Sequence, residues 1–424
     1  LQSAYFFKRD RAIGQGVYAS TKTGSGIVGL TAAEMLKKCH KKDEAIEKEL
    51  STLFQKVKGS KEYWASQGGN LRAMDQEFGP STLFVTLSCA ETKWPWLRDY
   101  LEALNGDTVE GKDGVYIGTL IAKERTAVSE FFWRRFKYLM EKLLAPGTQR
   151  GKPEVGILGE KVAHYYWRLE YQARGAPHIH MKLWIEGAPV LGAPGVTEED
   201  VKAFISRLIT CEIPSAEKNA TLRQLVLDFQ QHLSCTPSCF QFKRGKKGGG
   251  RLVCRYGFPR QAQSSYSFNS IEEIIKARHR RGARPKKLYQ IPTAPNETRI
   301  NHYNPVLMMF WCANIDIQFI GESSQHLDGY VTGYTTKGEK KETKDLFECI
   351  RRDSETSNPH SLLRKLAYQS TRDRQVGMYE VIDDLLGHPL HGASTEVKWL
   401  GVGPKEGRKK KQVNKAALEA LLKK

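Results

Sequence analysis

The stretch Tyr165–Glu186, YYWRLEYQARGAPHIHMKLWIE, constrains the fold more than any other part of the chain. Large apolar residues alternate with polar ones twice. Trp167, Leu169 and Tyr171 alternate with Arg168, Glu170 and Gln172; then Ile179, Met181, Leu183 and Ile185 alternate with His178, His180 and Lys182. Period two marks strands with one face in a core. Ala173 to Pro177, with Gly175 inside, reads as a hairpin loop, so the strands pair antiparallel. Pairing Gln172 with His178 sets Glu170 opposite His180, and directly opposed residues share a face. Two imidazoles, a carboxylate and an amide then meet on one side of the sheet, and a slip of one residue would part them.

Such mixed nitrogen and oxygen donors suit Mg2+, Mn2+ or another divalent ion, with coordination positions left for a substrate oxygen. A His-x-His pair on a strand also occurs in zinc hydrolases and in proteins that hold no metal. The alternation and the facing Glu170 and Gln172 favour His178 and His180 as ligands, with Glu170 and Gln172 both carried as the third.

Composition narrows the class of partner. Across 424 residues Lys plus Arg number 66 against 47 Asp plus Glu, a net charge of +19. That excess points first to a polyanion, most simply nucleic acid, and second to an anionic membrane surface or to nothing specific. No apolar run approaches the roughly 20 residues that cross a bilayer, and no secretory leader opens the chain. A start at Leu1 suggests a piece of a longer protein, and eight cysteines in so long a chain fit a reducing compartment better than a disulfide scaffold.

In chain order, residues 1–78 form an accessory region in which Thr31 and Glu34 make a capping box for a charged helix from Ala32 to about Lys58. Leu83, Val85 and Leu87 alternate with Phe84, Thr86 and Ser88, predicting a strand, and a helix starts around Trp94–Leu97. Glu124–Leu144 is the strongest helix, with a packing stripe of Val128, Phe132, Phe136, Leu139 and Leu143. Val155–Leu158 reads as a short strand. Residues 187–292 are an insertion with helices from Thr197 to about Thr210 and from Ala216 to His232. There His232, Cys235, Cys239 and Cys254 offer a tetrahedral zinc set, whose ion would supply folding energy to a knuckle without its own core, against the alternative of free buried cysteines. Basic residues follow, including Arg255, Arg260, Arg280, Arg281, Lys286 and Lys287, which together with Arg174 are candidates for phosphate contact as against solvated loops. Ile315–Phe319 alternates as a strand, and Tyr330 and Tyr334 stand four apart, on one face of a helix or one side of a strand, with Lys337 beyond them. Residues 79–345 thus make one domain around the insertion. Residues 346–424 carry helical stretches at Ser361–Gln369 and Gln375–Leu386 and a basic end, Lys405–Lys411, that reads as a nuclear import signal or a solvated tail.

Four segments in this order, Phe84–Ser88 with Trp94-Pro95, Gln172–His180, Trp311–Phe319 and Tyr330–Lys337, resemble the Helitron family of rolling-circle transposases over most of Gly69–Trp399. The similarity is to their Rep-type endonuclease region. It implies an α+β fold: a central antiparallel sheet of the His-hydrophobic-His nuclease type with flanking helices, here with the Cys/His insertion and helical terminal regions. It also implies a two-tyrosine motif on a helix, although Gly333 stands where many relatives have Lys. Relatives continue into a helicase, and no GxxxxGK[ST] phosphate loop occurs here, so a helicase is expected elsewhere in the full-length polypeptide.

By resemblance Tyr330 and Tyr334 are nucleophiles that nick and rejoin single-stranded transposon ends through a 5′-phosphotyrosyl link, aided by Lys337 and a divalent ion, in the nucleus. Two readings compete: a domesticated, non-catalytic zinc-containing DNA-binding module, and a zinc hydrolase acting through metal-bound water.

Overall fold

Alternation of period two does build the centre of this fold. The structure, a computed structural model, describes residues 1, 3–8, 11, 55, 58–106, 114–172, 175–244, 250–270, 272–274, 288–323, 326–335 and 376–400. In chain order the main elements are α1 (Lys61–Phe78), β1 (Leu83–Ser88), α2 (Pro95–Asn105), α3 (Gly114–Lys123), α4 (Arg125–Tyr138), β2 (Val162–Tyr171), β3 (Pro177–Ile185), α5 (Glu198–Leu208) and α6 (Ala216–Phe229). There follow β4 (Phe240–Arg244), β5 (Gly250–Cys254), β6 (Ser267–Phe268), β7 (Tyr289–Gln290), α7 (Pro305–Trp311), β8 (Ile315–Phe319), α8 (His326–Thr335), α9 (Met378–Leu386) and β9 (His391–Ala393). The class is α+β, with a five-stranded antiparallel sheet in the order β8-β1-β3-β2-β9.

The two faces of that sheet differ in chemistry. One carries Leu83, Val85, Leu87, Leu169, Ile179, Met181, Leu183, Ile315, Ile317 and Phe319, all buried in the main core with the stripe of α4 and with α5 and α7. The stripe Val128, Phe132 and Phe136 is buried as its spacing predicts, and the helix runs on through a wider π turn at Leu139–Leu144. Two indoles lock this layer without leaving a polar atom stranded. Trp94 donates to the Cys312 carbonyl at 2.9 Å, and Trp311 donates to the Ser88 carbonyl at 2.8 Å, so both rings bury their area with the N–H satisfied.

The opposite face is polar and is covered by α1 and α8. Leu71 and Met74 of α1 pack on Tyr166 and Trp184, and Phe78 stacks on His164 with ring centroids 3.6 Å apart. Sequence pattern did not predict α1. Gly68 and Gly69 in its middle each cost about 1 kcal/mol in helix propensity, and its stability comes instead from the Ser60 cap, whose hydroxyl accepts from the Tyr63 N–H, and from packing on the sheet. From the other end of the chain, β9 adds an edge strand with Gly392 against the Trp167 ring, where a Cβ would approach within 2.6 Å.

The Thr197/Asp200 capping box is formed, and α5 follows it. The second helix of the insertion ends at Phe229, three residues short of His232, and the last described helix runs from Met378 to Leu386. Val155–Leu158 forms no strand. Val155 makes a single bridge to Lys161 across a turn containing Gly159, because the chain reverses there too tightly to pair further. The expected helix at Ala32–Lys58 falls almost wholly outside the described residues, and Ser361–Gln369 and Lys405–Lys411 fall wholly outside them.

Candidate functional site

The hairpin forms with a register two residues from the one the loop suggests. Glu170 pairs with His178 and Arg168 with His180, and the last pair is Tyr171 with Pro177. The chain turns one residue early because the Gln172 N–H closes the loop on the Ala176 carbonyl at 3.0 Å, while Pro177, lacking an N–H, sits as the first residue of β3, where that loss costs nothing. A shift of two keeps every side chain on its face. Glu170 therefore reaches His180 along the diagonal: its Oε2 lies 2.8 Å from His180 Nε2. Gln172 lies in the loop beyond the last strand pair.

Neighbouring elements fix both imidazoles. Ser88, opposite His178 on β1, brings its hydroxyl within 3.1 Å of His178 Nδ1, and Trp311 holds the Ser88 carbonyl from behind. Ser88 N–H donates to Asn314, which in turn is tied to Phe229 and Gln230. The Trp311–Asn314 segment thus sets the end of β1 against His178. His180 is buried, stacks on Phe84 at 5.8 Å and meets the His178 ring edge-on at 4.6 Å.

Electrostatics then decide the state of the carboxylate. Burial pushes the Glu170 pKa up, but the hydrogen bond and charge of His180, with Arg168 and His178, outweigh it and hold the group at about 2. Arg168 Nη2 lies 3.4 Å from the other Glu170 oxygen. Glu170 is therefore an anion at neutral pH, the form that a cation needs. A depressed carboxylate contributes stability that is full above the ordinary value of 4.5 and is lost as pH falls through about 2. Unfolding in urea between pH 5 and pH 2.5 should show it: Glu170→Gln is expected to lose less stability over that interval than the parent chain, and equal losses would mean that the pair contributes nothing.

Sequence reasoning missed the residues that join this cluster to α8. Lys182, next but one after His180 on the same face, is fully buried. Its Nζ donates to Asp75 of α1 at 2.6 Å and to the Thr332 hydroxyl of α8 at 2.8 Å, and Thr332 donates to the other Asp75 oxygen at 2.9 Å. Arg168 extends from Glu170 to the Thr335 carbonyl at 2.6 Å and stands 3.9 Å over the Trp64 ring. A lysine at a polar position of an alternating strand was the available signal; its partners lie too far along the chain to be read.

Tyr330 and Tyr334 belong to α8, which rests on the histidine side of the sheet through Thr332 and Thr335; the tyrosine side chains and all of Lys337 lie outside the described residues. So do Arg174, Arg280, Arg281, Lys286 and Lys287. Of the remaining basic candidates, Arg255 is exposed over the Tyr256 ring at 4.7 Å, whereas Arg260 is half-buried and donates to Asn301 at 2.6 Å. A separate cavity beside β9, lined by Gln67, Asn70, Tyr166, His391 and Ser394 among others, includes none of the predicted residues.

In the insertion His232, Cys235 and Cys254 converge, with one ligand atom from each lying within 4.8 Å of the others. Cys239 stands just before β4, its sulfur 3.4 Å from the Thr236 hydroxyl.

Residues 19–183 match the family model described as the Helitron helicase-like domain at N-terminus. The chain is Helitron-related. The matched segment of this Helitron-related chain ends at Leu183 and so takes in β1, β2, His178 and His180, while α8 and the insertion lie beyond it. No curated protein matches the chain.

Proposed function

We propose that this Helitron-related, transposon-associated protein is a Rep-type endonuclease of the His-hydrophobic-His class, which nicks and rejoins single-stranded DNA by tyrosine attack. The observation that carries the reading is the seating of α8 on the polar face beside His180, through Lys182–Thr332 and the run Thr335–Arg168–Glu170–His180.

The donor set fits a hard divalent cation. Two imidazoles and a carboxylate held anionic meet on one face, and Mg2+ or Mn2+ bound there would supply Lewis-acid polarisation of the scissile phosphate. His178 and His180 hold nitrogen donors in fixed positions, Ser88 orients the first ring, and Glu170 balances charge. A phenol at its ordinary pKa near 10 is a weak nucleophile, and as phenolate it attacks phosphorus in line. The tyrosyl O–P bond forms as the P–O3′ bond breaks. The product is a 5′-phosphotyrosyl link and a 3′-OH that takes up one proton, and the reverse step rejoins the strand. Tyr330 and Tyr334 would let one strand be held while a second is cut. A net charge of +19 and exposed aromatics such as Tyr256 favour a flexible polyanion as substrate.

Incubation of the chain with labelled single-stranded DNA and Mg2+ or Mn2+ should give a protein–DNA adduct that survives boiling in detergent. The adduct should vanish in Tyr330→Phe/Tyr334→Phe. Cleavage that persists in that double variant without an adduct would indicate a hydrolase using water, and binding with no cleavage by the parent chain would indicate a DNA-binding module; either result rejects the proposal.

A further inference from the structure

We infer that His232, Cys235 and Cys254, completed by Cys239, bind one structural zinc ion that organises the insertion between β3 and β8. Three lines support it. The first is distance. His232 Nε2 lies 3.3 Å from Cys235 Sγ and 3.6 Å from Cys254 Sγ. With Zn–N near 2.0–2.1 Å and Zn–S near 2.3 Å, the N···S edge of a tetrahedral site is roughly 3.5 Å, so both N···S separations already match those that one shared ion requires, and all three atoms lie within 4.8 Å of one another. Two direct contacts between one nitrogen and two thiols have little else to recommend them, since a thiol is a weak donor and a weak acceptor.

The second line is the chain path. His232 follows α6, and its N–H donates to the Arg299 carbonyl at 2.9 Å. Cys235 precedes the short turn Pro237–Cys239, and Cys254 ends β5. Phe240 pairs with Cys254, so Cys239 adjoins that pair, and its carbonyl accepts the Arg255 N–H at 2.7 Å. The fourth position falls to Cys239, whose sulfur exchanges its Thr236 contact for the ion. His232 is packed flat on Phe258, with centroids 4.8 Å apart. That contact holds the imidazole plane, as the surroundings of a ligating histidine generally do.

The third line is the exposure of apolar side chains among the described residues of the hairpin. Phe240, Phe242 and Leu252 are exposed, the last two at 63% and 62%, and among the described side chains of β4 and β5 only Val253 and Cys254 are buried. An isolated two-stranded hairpin is marginal in water. Ion binding supplies the missing free energy, as it does in small domains that fold only with their metal. A disulfide is the obvious alternative for two nearby thiols, yet Cys235, Cys239 and Cys254 form none, and the imidazole contacts both Cys235 and Cys254.

The test uses the full chain expressed in zinc-supplemented medium. Elemental analysis should find one zinc per chain, and exchange with Co2+ should produce the intense thiolate-to-cobalt absorption of a tetrahedral site. Cys254→Ser and His232→Ala should each weaken binding by roughly tenfold or more, and the band should fall stepwise with each Cys→Ser change at 235, 239 and 254. Cys211→Ser, at a buried thiol beside Thr293, should leave the metal untouched. So should His178→Ala/His180→Ala, which keeps this result separable from the fate of the nuclease reading. Because the parent chain itself gives the stoichiometry and the spectrum, a variant that fails to fold does not remove the test. A parent chain free of zinc and without the cobalt band would overturn the inference, as would an intact mass showing Cys235 joined to Cys254.

Discussion

Replacing Lys182 with methionine is expected to destabilise the protein by about 3–5 kcal/mol, the cost of removing one partner from a buried ion pair. Lys182 is fully buried, and its ammonium is shared between the Asp75 carboxylate at 2.6 Å and the Thr332 hydroxyl. Without it the carboxylate, only 8% exposed, keeps Thr332 but loses its lysine. Removing both charges at once, in Lys182→Met/Asp75→Leu, should cost much less, because a buried pair repays little more than its own desolvation. Urea unfolding of the two single variants and the double measures the coupling. A single Lys182→Met change that costs under about 1 kcal/mol would place the pair in the class of exposed, weak contacts and contradict its burial. If the proposed function holds, the same variant should also form less DNA adduct while folded, since Thr332 then loses one of the bonds that seat α8.

The second large effect is on activity. Loss of the His180 ring should lower adduct formation by about 10²–10³-fold, if metal polarisation of the phosphate is worth several kcal/mol and each 1.36 kcal/mol is tenfold. His180→Gln is the better variant for the measurement, because an amide can still donate to Glu170 and the fold is preserved. Its activity should rise with added Mn2+ more than that of the parent chain, as expected when a ligand rather than a nucleophile is weakened. Undiminished cleavage by His180→Gln at limiting metal would remove this ring from the reaction.

Sequence alone reveals the sheet well, because alternation reports burial directly: Leu83–Ser88, Trp167–Tyr171, His178–Ile185 and Ile315–Phe319 all lie in strands with their apolar sets on one face. The meeting of Glu170 with His180 is legible too, although the register is not, since a step of two residues leaves the pattern unchanged. What the pattern hides are contacts across the chain. Nothing local ties Asp75 to Lys182 or Thr332, separated from the lysine by 107 and 150 positions. A helix with Gly68-Gly69 at its centre carries no signal until the sheet is there to receive Leu71 and Met74. Short β9 escapes for the same reason, being held by its place beside β2 rather than by its own composition.

The burial of Tyr166 and Trp184 beneath α1 bears on where the polypeptide can be cut. A fragment begun at Gly79 would keep all five strands but uncover both aromatic rings and take Asp75 from Lys182. The smallest piece fit for expression therefore starts upstream of Ser60, which caps that first helix, and it retains His391–Ala393 at the far end. Shorter pieces should precipitate, however complete their histidines and tyrosines.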